Sequence, residues 1–227
     1  MSGGSGGLGL EMALLLKKAG KSVLIIGRDK EKLSKALIML NNIENEASVE
    51  AFKCNVGDEN DVSELCKFLQ AGNFEVEYLF NNAGRGLFLE ATESTTDLID
   101  KVFEPNLKGL ILLTSHILKQ TPGDTELTIV NIMSTSALLG RAEETIYCAA
   151  KWGARGYTEA LRAEYKGKKR NIIAVYPGGM KTGFWDVTGH HKDISGFMDP
   201  AEVAEKIISA VIVKDRLAVT DITINRK

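Results

Sequence analysis

Two adjoining stretches decide how the chain is read: LTIVNIMST, residues 127–135, and TIYCAAKWGARGYTEALRAEY, residues 145–165. The first is a short run of apolar, largely β-branched residues, the pattern of a strand buried on both faces. The second reads as a helix. The same alternation continues outward in both directions. Downstream, NIIAVYPGG (171–179) is a strand ended by Pro-Gly. DPAEVAEKIISAVI (199–212) is a helix with Asp199 as cap, Pro200 in the first turn and Glu202 completing a capping box, and AVTDITIN (218–225) is the last strand. Upstream, SVLIIG (22–27) and VEAFKCNV (49–56) read as strands, and VEYLFNNAG (76–84) as a strand running into a polar, glycine-ended turn. DKEKLSKALIML (29–40), DENDVSELCKFLQ (58–70) and a long stretch from about Ser94 to Lys119 read as helices. Strands alternating with helices predict an α/β fold with a mostly parallel sheet covered on both faces.

At 227 residues the chain is most simply one domain, residues 1–227, large enough to bury a core without disulfides or metals. A net charge of −2 gives no reason to expect a nucleic-acid or membrane partner. The basic run Lys166 to Arg170 is read as a solvated loop. Cys54, Cys66 and Cys148 are odd in number and far apart, which fits a reducing compartment and no metal site. With no apolar run of membrane-spanning length, the expected location is cytoplasmic. The least regular segment is 182–198, and a loop this long in a compact domain suggests a lid or substrate loop.

Three patterns point to chemistry. Gly3, Gly7 and Gly9 stand just before a helix, where glycines let the backbone approach a pyrophosphate and the helix N-terminus supplies free N–H groups. No G-K-[ST] ending follows, which disfavours nucleotide hydrolysis. Arg28, 19 positions after Gly9 at the end of a strand, stands where an acid often binds the adenosine ribose; a guanidinium there can pair with a 2′-phosphate instead. Tyr-x-x-x-Lys places two side chains on one helix face. It occurs twice, as Tyr147/Lys151 and Tyr165/Lys169, and the second pair, in the charged tail of its helix, is read as chance. The first pair has company: Ser134 lies 13 residues before Tyr147, NNAG spans Asn81 to Gly84, Asn106 sits in EPNLKG, and PGGMKT spans Pro177 to Thr182.

Together and in this order these residues resemble a classical short-chain dehydrogenase/reductase over nearly the whole chain. The resemblance implies a Rossmann-like doubly wound parallel sheet. It implies Tyr147 as proton donor or acceptor, Lys151 lowering the phenol pKa and binding the nicotinamide ribose, Ser134 holding the substrate oxygen, and Asn106 anchoring a water. It also implies a cofactor wall made from Gly3, Ser5, Gly7, Leu8, Gly9 and Arg28, from Asn55, Val56, Asn82, Ala83 and Gly84 on the adenosine side, and from Pro177, Gly178, Met180 and Thr182 on the nicotinamide side, besides Tyr147 and Lys151. A phenol ionises near pH 10, and lowering that by about three units needs roughly 4 kcal/mol, for which a nearby ammonium is a source.

Two departures stand out. Asn55 occupies a place where members commonly show an aspartate against adenine. The larger departure is the first strand, which is apparently missing: such a central strand would contribute about 10 kcal/mol of burial. The expectation is that the natural protein carries further residues ahead of Met1; the alternative is a real deletion, with another segment in the slot or a weakened cofactor site.

The expected function is NADP(H)-dependent hydride transfer between a carbonyl and a secondary alcohol, with NADP(H) preferred over NAD(H). The expected substrate is small and lipophilic or aromatic, bounded by Leu87, Phe88, Leu138, Leu139, Phe184, Trp185 and Met198. The alternatives are a catalytically weak cofactor-sensing or scaffolding member of the fold and, less favoured, an isomerase or epimerase. No metal is expected at His190 and His191. The resemblance also implies a homodimer or homotetramer through the helices bearing Asn106 and Tyr147.

Overall fold

The computed structural model describes residues 1–189, 193–212 and 217–227. His190 and His191 lie outside the described residues. In chain order the regular elements are α1 (Gly7–Lys18), β1 (Val23–Gly27), α2 (Lys30–Asn41), β2 (Val49–Lys53), α3 (Glu59–Ala71), β3 (Tyr78–Asn81), α4 (Thr96–Phe103), α5 (Gly109–Gln120), β4 (Leu127–Ile132), α6 (Thr145–Glu164), β5 (Arg170–Pro177), α7 (Pro200–Val211) and β6 (Asp221–Ile224). All pairings are parallel: β1 with β2, and β3-β4-β5-β6 in order. This is the expected doubly wound α/β fold.

Both faces are covered. Met12 and Leu16 of α1, Leu33 and Leu40 of α2, and Ile207 of α7 close over Ile25, Val130 and Ile173 on one face. Leu65 and Leu69 of α3, Leu113 and Ile117 of α5, and Leu161 of α6 close over Ile26, Leu79, Ile129 and Ile172 on the other. Asp29, Asp58 and Asp199 cap α2, α3 and α7 by accepting first-turn N–H bonds.

Between β1 and β3 the sheet is joined by the segment Met1 to Gly4. Met1 accepts from Ile26 N–H, Ser2 forms a parallel bridge with Ile26, Ser2 N–H donates to the Phe80 carbonyl, and Gly4 N–H donates to the Ile26 carbonyl. Beside Met1 lies an opening of about 370 Å³ bordered by Leu24, Leu79, Phe80 and Leu113.

The long helix expected from Ser94 to Lys119 is divided. Residues Glu104–Lys108 form a π turn, with Gly109 N–H reaching back to the Glu104 carbonyl. Pro105 cannot donate its own backbone bond, and the wider turn accommodates that loss. Two strands also stop short of their expected carboxyl ends, because residues 54–56 and 133–135 leave the sheet as loops, while 82–84 and 178–179 form the turns expected after β3 and β5.

Candidate active site

Those loops form the rim of a cleft of about 660 Å³ across the carboxyl ends of the strands, the edge at which open α/β sheets bind ligands. Gly3 and Gly7 adopt φ of 63° and 51°, and Gly7 opens α1 with no side-chain cap on its first-turn N–H groups. A side chain on Gly3 would strike Asn82 Nδ2 at 2.9 Å. Asn82 braces this loop from below, donating to the Ser2 and Gly3 carbonyls, while Ser2 Oγ accepts from the Asn82 and Ala83 N–H groups. Ser5, Leu8, Arg28, Val56, Gly84 and Thr182 line the same cleft. Gly9 does not. A Cβ there would lie 2.1 Å from the Gly3 carbonyl oxygen, so Gly9 lets α1 pack under the loop and does not face a ligand.

Asn55 donates through Nδ2 to Glu104 (2.7 Å), and its Oδ1 accepts from Gly57 N–H (3.3 Å). The amide is therefore oriented by its neighbours at the cleft wall. Pro177 ends β5, and Gly178 and Met180 continue the wall; Met180 pairs with Met198 across the base of the 182–198 loop.

The strand β4 and helix α6 bring the chemistry together. Tyr147 is buried, and Ser134 lines the same cleft. Ser136, two residues beyond Ser134, bonds to Glu144 (2.8 Å). One turn after Tyr147, the Lys151 ammonium lies 5.7 Å from the phenol ring centre and donates to the Ile132 carbonyl (3.3 Å). Asn106 projects from the π turn and is 1% exposed. Its Nδ2 donates to the Arg85 and Val102 carbonyls, and its Oδ1 has no hydrogen-bond partner. Lys151 Nζ and this Oδ1 both flank Gly84, at 3.5 and 2.8 Å from the position a Cβ would take. The second pair, Tyr165 and Lys169, lies beyond α6 at the opposite edge of the sheet.

The family model for short chain dehydrogenases matches residues 1–193. The chain belongs to the short-chain dehydrogenase family. It is thereby an oxidoreductase by family. It is 35% identical to a solved short-chain dehydrogenase/reductase from Vibrio parahaemolyticus, with a TM-score of 0.86, covering 100% of this chain and 96% of that one. An actinorhodin polyketide ketoreductase solved with NADPH is 26% identical with a TM-score of 0.87, covering 99% and 94%. An uncharacterised oxidoreductase of Staphylococcus aureus (strain MW2) is 25% identical over 99% of this chain and 94% of its own length.

Burial pushes the Tyr147 phenol up, hydrogen bonding with Ser134 opposes that, and the Glu144 charge adds to it. Burial also lowers Lys151, to about 8. In a dry site both ionised forms lose solvation, and that outweighs one hydrogen bond.

The substrate end differs in part from the expected list. Phe88, Phe184 and Trp185 line the cleft, and Phe184 stacks 5.7 Å from Tyr147. Leu87, Leu138, Leu139 and Met198 do not line it, and Leu139 is 63% exposed. Phe197, Arg141 and Glu144 take their place. Phe197 was one residue from a predicted position, but Arg141 and Glu144 carry no sequence signal beyond lying between Ser134 and Tyr147. Among the described residues no group of His, Cys, Asp or Glu could hold a metal, and no helix is long and apolar enough to cross a membrane.

Proposed function

We propose that this dehydrogenase transfers hydride between NADP(H) and a carbonyl or secondary alcohol, with Tyr147 as acid/base. The observation that carries the proposal is that Ser134, Tyr147 and, one turn on, Lys151 line the same cleft as the glycine loop. The chain's residues fit a dinucleotide: Gly3 and Gly7 leave a bare backbone over a helix N-terminus, and Asn106 Oδ1 is an orphaned buried acceptor. When bound, the nicotinamide supplies or accepts the hydride.

The protein groups do the rest. Ser134 and Tyr147 present two hydroxyls that converge on a carbonyl oxygen, and Tyr147 gives its proton to that oxygen in reduction. Lys151 spends one bond on Ile132. Its remaining N–H donors can hold ribose hydroxyls and, through a water, reach Asn106 Oδ1, giving a route for returning a proton to the phenol. Phe88, Phe184 and Trp185 exclude water above the phenol. The 182–198 loop acts as the substrate loop, held by Trp185 Nε1 on the Met180 carbonyl (2.8 Å) and by Phe88 N–H on the Thr188 carbonyl (2.7 Å). Self-association would use the outer surface of α6, where Trp152 is exposed.

The preference for NADP(H) is supported at the adenosine end. Arg28 and Lys32 both line the cleft, whereas Asp29 spends a carboxylate oxygen on capping α2 through Glu31 and Lys32 N–H. Two cations and an engaged acid suit a 2′-phosphate. Arg28→Ala tests this by coenzyme titration in a carbonyl-reduction assay. The expected result is a KM for NADPH raised about tenfold or more, the scale of one charge-assisted contact, with NADH little affected. Equal effects on both coenzymes would contradict the preference.

A further inference from the structure

We propose that Glu144 makes this cleft selective for substrates carrying an ammonium group beside the reacting carbon: amino alcohols and the matching amino ketones. The inference rests on the hydride-transfer reading above and names the substrate class of that same site.

Glu144 ends the loop before α6, three residues ahead of Tyr147, so both side chains lie near one face of the helix. It lines the cleft and is only 6% exposed. A carboxylate in such a place is costly unless its charge is answered. Here a single neutral donor, Ser136 Oγ, holds Oε2. The nearby guanidinium does not answer it: Arg141 bonds Thr135 Oγ1 (3.2 Å), and among the described residues Glu144 has no ion pair. Lys151 is turned to the Ile132 carbonyl.

Apart from Arg141, which is held on Thr135, the side chains around the phenol are largely aromatic. Phe88, Phe184 and Trp185 pack edge-on and tilted around Tyr147. Ring faces also attract a cation. A negative charge at one side of an aromatic chamber is what recognition of a small ammonium requires. Binding there would also help the chemistry. The Glu144 charge opposes ionisation of the Tyr147 phenol, and an ammonium beside it removes that opposition.

The test uses matched pairs that differ by one group: 1-amino-2-propanol against 2-butanol, and 4-amino-2-butanol against 2-pentanol. Each is oxidised with NADP⁺, the alcohol carbon losing hydride to the coenzyme and the hydroxyl losing its proton by way of Tyr147. NADPH formation reads the rate. The wild type should favour the amino alcohol in at least one pair by about tenfold or more in kcat/KM, and Glu144→Gln should bring that ratio to about one. The glutamine keeps the size and can still accept from Ser136, so loss of the ratio reports charge and not folding. A ratio that is the same in both proteins, or that favours the neutral alcohols in the wild type, overturns the proposal. Calorimetric titration of the NADP⁺-loaded protein with the same alcohols separates the two readings. Ammonium-selective binding lost in Glu144→Gln, without turnover, sustains the Glu144 assignment and defeats the hydride-transfer reading. Turnover of neutral alcohols without ammonium preference does the reverse.

Discussion

The two ends of β3 make an instructive contrast. At its carboxyl end Asn81 bonds Thr114 and Asn131, Asn131 bonds Thr158, and Asn82 and Ser2 lock the glycine loop to the strand. Toward its amino end Tyr78 and Phe80 border an opening that Lys21, Glu50 and Glu77 also line. The site end is rich in buried polar groups held by several elements, whereas the opening mixes apolar side chains with charged ones. The cleft geometry is held by bonds near the carboxyl edge. Chemistry and cohesion are separable here, and perturbing each end should move different quantities.

The largest stability change is expected at the site. Lys151 is lowered from 10.5 to about 8 by burial, a cost of about 3 kcal/mol at about 1.4 kcal/mol per pH unit. The native state binds fewer protons than the unfolded chain between those values. The cost is therefore full below about pH 8 and relieved as pH rises towards 10.5. Lys151→Met should abolish most turnover yet raise stability at pH 7 by up to about 3 kcal/mol, less whatever the Ile132 hydrogen bond contributes. Denaturant unfolding at pH 7 and pH 10 checks it, and the gain should shrink at the higher pH. A destabilised variant at pH 7 would mean that the ammonium is better solvated than its burial implies.

Much of this was legible in the sequence, because buried parallel strands and capped helices write periodic patterns. Two strands were read too long at their carboxyl ends for an informative reason. Asn55 and Ser134 continue an apolar run in sequence, but they leave the ladder to build the cleft. Gly9 looked like its neighbours, yet only packing against the Gly3 carbonyl reveals its part. Ser2 and Glu144 were invisible for another reason: each matters through a partner distant or unmarked in sequence, the Asn82 backbone and the Ser136 hydroxyl. The burial of the Tyr147 phenol, which pushes its pKa up, has no signal in the sequence either.

The most direct test of the central claim is NADPH oxidation, followed by absorbance, with a panel of aldehydes and ketones for the wild type and for Tyr147→Phe. The account predicts carbonyl-dependent turnover that falls about a thousandfold in the variant, within the range for a positioned general acid, while NADPH still binds. Turnover that survives loss of the phenol hydroxyl would contradict it.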